Sequence, residues 1–168
     1  MSEQIHNIKK IIELLESPLF LDIFGKQSEN KKRLILGTMM QESRFIYRRQ
    51  FNDGPARGLG QIEPNTAYDI FKNYLNYRHD MLRKVLKTTS NGFNCMSKKS
   101  LAIELEKNDL FNLVMLRMCY YRVPKAVPSS DLEIAKYWKK YYNTELGAGT
   151  TEEFLHSLKK LDKITSTI

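Results

Sequence analysis

Apolar residues in this chain recur three and four positions apart, segment after segment, and rarely at every second position. Ile5, Ile8, Ile11, Ile12 and Leu15 set the pattern, with Lys and Glu between them. Residues at i, i+3 and i+4 share one face of a helix, so each such segment must bury a stripe against a neighbour. Ser17-Pro18 ends the first segment, because proline disfavours helical backbone in the residue before it. Leu19 to Phe24 is a short apolar run closed by Gly25. The spacing predicts a second helix over 31–43, burying Leu34, Ile35, Thr38 and Met39. Residues 44–58 read as a loop with Asn52-Asp53-Gly54-Pro55 as its turn. Pro64-Asn65-Thr66 reads as a helix start, followed by Ala67, Ile70, Phe71 and Leu75 at helical spacing. Further helices are expected over 78–87, over 108–122, from a cap at Asp131 to Tyr142, and from Thr150 or Thr151 to Leu161. Residues 88–100 are polar and read as a loop. The expectation is a mostly α single domain over 1–168, with at most a short β-hairpin within 45–62.

Composition narrows the function classes. The chain has 168 residues, enough to bury a sizeable core. No apolar run approaches the roughly 20 residues of a membrane span, and the polar, periodic first ten residues lack the apolar stretch of a signal peptide. Synthesis in the cytoplasm without a signal peptide is therefore expected. Cys95 and Cys119 are too few for a disulfide framework and have no His or Cys partners at zinc spacing, so neither a metal nor an organic cofactor is expected. The net charge of +8 favours an anionic partner: nucleic acid, an acidic membrane or an anionic cell wall. The basic residues are spread along the chain, and no zinc finger, RNP motif or basic groove-binding helix is present, so no specific nucleic acid is expected.

Chemistry concentrates in residues 37–67. Glu42 falls in the last turn of its predicted helix, where carbonyl ends disfavour a negative charge. Met39, Phe45 and Ile46 would add desolvation. Both effects raise a carboxyl pKa, as a general acid near neutral pH requires. The same spacing also fits a surface glutamate at a helix end. In Gly58-Leu59-Gly60-Gln61, the glycines would let backbone approach a ligand closely, and Gln61 offers both a donor and an acceptor for sugar hydroxyls or acetamides. In the stretch 135–144, the rings of Trp138 and Tyr142 could stack on sugars and Asn143 could bond an acetamide, and the cluster at Tyr120 is similar; the same aromatics could equally fill a core.

Glu42-Ser43 followed by Gly58-Leu59-Gly60-Gln61-Ile62-Glu63-Pro64-Asn65-Thr66-Ala67 resembles the soluble lytic transglycosylase and goose-type lysozyme families in order and spacing. Their pattern is Glu-Ser, then Gly-Leu-Met-Gln-Ile-x-Pro-x-Thr-Ala. Asn112 in Leu110-Phe111-Asn112-Leu113 and Tyr142-Asn143 resemble two later family motifs, so the likeness spans residues 30–145. Gly60 stands where the families carry Met, and Tyr141-Tyr142-Asn143-Thr144-Glu145 lacks their glycine. The wording of 137–144 is similar to bacteriophage-encoded members. The resemblance implies a lysozyme-like fold: an N-terminal helical segment (1–25) packed on a catalytic core (30–145), with a C-terminal helix (150–162). It implies Glu42 as the catalytic acid and peptidoglycan glycan strands as the substrate. Ser43 would orient Glu42 or the substrate, and Gln61 and Tyr142 would sit in the sugar cleft. The protein would be a monomer acting at the bacterial cell wall, either as an endolysin or on a virion.

Two mechanisms fit this reading. A lytic transglycosylase uses one acid, because the muramoyl 6-hydroxyl attacks in place of water. A hydrolytic lysozyme needs a second carboxylate, for which Asp53 and Glu63 are the options. Asp53 equally suits a turn before glycine, and Glu63 equally suits a helix start. A reading from another class is a non-catalytic basic protein binding wall or nucleic acid in a virion.

Overall fold

The computed structural model describes residues 2–168. Among them are nine α-helices and no strand. In chain order these are α1 (Glu3–Leu15), α2 (Pro18–Phe24), α3 (Glu29–Ser43), α4 (Pro64–Asn73), α5 (His79–Leu86), α6 (Lys98–Lys107), α7 (Asp109–Tyr121), α8 (Asp131–Trp138) and α9 (Thr151–Thr165). Short 3-10 turns lie at Phe51–Asp53 and Leu75–Tyr77, and a π-helical turn at Lys139–Asn143 extends α8. The mostly helical expectation holds. The possible hairpin is reduced to isolated antiparallel bridges of Arg57 with Arg49 and with Ile62.

Local chemistry explains most of the helix ends. Ser17 Oγ donates to Leu14 O at 2.7 Å and accepts from Phe20 N at 3.4 Å, so one residue closes α1 and starts α2. Pro18 takes the first turn of α2, where its missing N–H costs nothing. Thr150 and Glu153 form a reciprocal capping box at α9. At α8 the expected cap is corrected: Ser130 caps, and Asp131 instead pairs with Arg33. The α-helical part also ends at Trp138 rather than Tyr142. Helix α6 lies where the sequence reading placed the end of a loop and left 101–107 unassigned. Its buried face is Leu101, Glu104 and Leu105, and the charged residue within the stripe masks its apolar spacing. Glu104 is satisfied there by Ser90 N (2.8 Å), Ser90 Oγ (2.9 Å) and Asn108 Nδ2 (2.6 Å).

Helix α7 forms the centre. Phe111, Leu113, Val114, Met115, Leu116 and Met118 are all fully buried, so it is enclosed on every side. Helices α1, α4 and α6 pack around it, and α3, α8 and α9 form a second group. Helix α3 meets α9 at Gly37, where an added Cβ would lie 2.6 Å from Leu158 Cδ2 and 2.9 Å from Phe154 Cζ. Trp138 of α8 stacks on Phe154 of α9, with ring centroids 4.8 Å apart. This places the C-terminal end of α3 and the end of α8 side by side, facing the loop 58–62.

Candidate active site

Glu42 lies in the last turn of α3. The chain then turns away through Arg44 (φ 53°) and Phe45 (φ 55°), two left-handed residues in succession. Such backbone is costly for residues with a Cβ and persists only where the surroundings hold it. Ser43 holds it from within: its Oγ donates to Met39 O at 3.0 Å and accepts from Phe45 N at 3.1 Å. Helix α1 holds it from outside, through Asn7 Nδ2 to Phe45 O (2.7 Å) and Gln4 Nε2 to Arg44 O (2.8 Å). Ser43 is fully buried. It therefore fixes the turn behind Glu42 and has no exposed surface of its own.

The Glu42 carboxyl accepts a hydrogen bond from Trp138 Nε1 at 3.3 Å. Burial pushes the carboxyl up to about 7, and the Trp138 hydrogen bond offsets only part of that rise. Of the two causes expected from sequence, desolvation is the one that accounts for the shift. Trp138 itself is fully buried. It positions the acid and presents no face for a sugar.

The loop 58–61 is anchored on α7. Buried Asn112 accepts from Gly60 N at 2.8 Å and donates to Arg57 O and Leu105 O, both at 3.0 Å. A Cβ on Gly58 (φ 72°) would collide with the Asn112 side chain and the Leu105 carbonyl. These glycines therefore serve a close approach to α7, which corrects the expectation that they admit a ligand. Leu59 is buried in the core. Gln61 leaves this turn with φ 50°, and its Nε2 donates to Gly58 O (2.9 Å) and Tyr47 O (3.3 Å).

Across the gap, the Tyr142 hydroxyl donates to Gly60 O at 2.7 Å. Its ring stacks on Tyr120, with centroids 5.3 Å apart. Tyr120 is 3 % exposed, and its hydroxyl is 2.7 Å from Thr38 Oγ1. It backs Tyr142 from beneath, so its expected contact with substrate is corrected to support. Lys139 Nζ donates to Asn143 Oδ1 (2.6 Å) and Gly147 O (2.8 Å), tying down the segment after the π-helical turn.

Glu42, Gln61, Glu63, Tyr142 and Asn143 line one cleft of about 530 Å³. A smaller hollow of about 300 Å³ shares Gln61, Glu63 and Tyr142 and continues toward Arg122. Larger hollows of about 730 and 620 Å³ flank α9, but Glu42 lines neither. Asp53 is exposed in its left-handed turn (φ 56°) and is not among the residues lining the cleft, whereas its neighbour Asn52 is. Glu63 is exposed at the start of α4 and lines the cleft.

The sequence reading missed the cleft rim. Tyr47 and Phe51 meet edge to face with centroids 4.8 Å apart, and Phe51 is 67 % exposed. Both line the cleft beside Arg49 and Gln50. The available signal was two aromatic residues four apart in a segment with no helix or strand to bury them. The site thus joins a protonatable, half-buried acid, amide and hydroxyl groups, and an exposed aromatic edge. Comparison with protein-family models, curated proteins and solved structures finds no match for this chain.

Proposed function

We propose that this protein cleaves peptidoglycan glycan strands between N-acetylmuramic acid and N-acetylglucosamine, as a lytic transglycosylase with Glu42 as its acid. The observation that carries this reading is the half-buried Glu42 carboxyl, held near neutral pKa and opening onto a cleft with Gln61, Tyr142 and Asn143. A carboxyl with a pKa of about 7 stays about half protonated at neutral pH and can give up that proton readily. Glu42 protonates the bridging oxygen as the bond to muramoyl C1 breaks, releasing the N-acetylglucosamine 4-hydroxyl. The resulting carboxylate takes the proton from the muramoyl 6-hydroxyl as that oxygen bonds to C1. The product is the 1,6-anhydro sugar, and Glu42 is returned to its starting form. Amides and hydroxyls along the cleft suit the sugar hydroxyls and acetamides, and the Tyr47–Phe51 edge suits the apolar face of a pyranose.

A hydrolytic second reading is favoured by one observation: Glu63 shares the cleft with Glu42 and could activate a water. Mass spectrometry of purified murein digested by the protein separates the two. Anhydromuramoyl products are expected. Reducing-end muramic acid would establish the hydrolase instead, and uncleaved glycan would overturn both.

A further inference from the structure

Arg117 projects from α7 with 5 % of its surface exposed. Its Nε donates to Gln27 Oε1 at 2.7 Å. The guanidinium lies over the touching rings of Phe24 and Tyr121, at 5.4 and 5.5 Å from their centroids. No carboxylate pairs with it among the described residues, whereas buried Asp109 on the same helix meets both Lys10 and Arg48. A buried cation without a counter-charge is costly, and burial pushes its pKa below the ordinary arginine value.

The guanidinium lines a hollow of about 320 Å³ together with Lys31 and Lys125, and no carboxylate lines that hollow. Its outer wall is fixed. The Tyr137 hydroxyl donates to Lys125 O at 2.9 Å, and Asn30 Nδ2 donates to Val127 O at 2.6 Å. We propose that this hollow is an anion site that takes a phosphate group, with the terminal nitrogens of Arg117 as its floor and the ammonium groups of Lys31 and Lys125 at its mouth. A planar guanidinium offers paired N–H donors to two oxygens of one tetrahedral group. Two flexible ammonium groups then neutralise the remaining charge. This site is separate from the Glu42 cleft, and the proposal does not depend on the function of that cleft.

The test is thermal unfolding of the full chain against inorganic phosphate, with sodium chloride at matched ionic strength as reference. A saturable rise in Tm is expected, about 3–5 °C at tenfold the Kd. The double variant Lys31→Ala/Lys125→Ala changes only the mouth of the hollow and should weaken binding about tenfold. Titration with glycerol 3-phosphate distinguishes the source: comparable binding points to a phosphate carried as an ester, and binding of inorganic phosphate alone points to the free ion. Phosphate that stabilises no more than chloride, or a double variant that binds as tightly as the wild type, would overturn the proposal.

Discussion

At the scale of the single residue, the raised carboxyl pKa that makes Glu42 the proposed acid is also a cost in stability above neutral pH. Its carboxyl sits at about 7 in the folded protein against an ordinary value of 4.5. A raised pKa means the folded state holds the proton more tightly than the unfolded chain. The stability this contributes is complete below pH 4.5 and is lost as pH rises through 7. Glu42→Gln keeps the shape and an acceptor for Trp138 but cannot ionise. The variant should therefore match the wild type near pH 4 and exceed it near pH 8 by about 2–3 kcal/mol. Denaturant unfolding at the two pH values checks this; a difference independent of pH would contradict it. The raised carboxyl pKa was legible in the sequence because Glu42 ends an apolar helical run and lies ahead of the Gly58–Gln61 turn. Ser43, Leu59 and Tyr120 were less legible. Nothing local distinguishes a tyrosine bonded inward to Thr38 from one turned toward a cleft.

At the scale of the element, the site depends on three pieces meeting: the end of α3, the loop 58–61 and the π-helical turn after α8. Asn112 is the joint between α7 and the loop, fully buried and making three hydrogen bonds. Asn112→Ala leaves the Gly60 N–H and the Leu105 carbonyl without partners, while Arg57 O keeps its bond from Ile62 N, which should cost about 2–3 kcal/mol. Urea unfolding measures it, and a loss below about 0.5 kcal/mol would mean that water replaces the side chain fully. Helices with clean stripes, such as α1 and α4, were legible from spacing. Helix α6 was not, because Glu104 sits within its buried face. The π-helical turn was not legible either: its setting involves Lys139 reaching Asn143 and Gly147, contacts that no helical period encodes.

At the scale of the whole molecule, the mostly helical class follows from periodicity, but the pairing of α3 with α9 does not. That pairing rests on Gly37 admitting Leu158 and Phe154, residues more than a hundred positions away. The net charge of +8 was legible from the start, and its consequence is a rate. Attraction to an anionic wall is screened over about 10 Å at 0.1 M salt, so wall lysis should slow steadily as ionic strength rises. A turbidity assay that is flat across salt concentrations would show that the charge is incidental to encounter. The central claim is that Glu42 is the acid that breaks the glycan strand. Its most direct test is a digest of purified murein by wild type and Glu42→Gln in parallel, with soluble muropeptides counted by mass spectrometry. The wild type should release anhydromuropeptides, and the variant, folded and at least as stable, should release them at least about a hundredfold more slowly. Release by Glu42→Gln at the wild-type rate would contradict the claim.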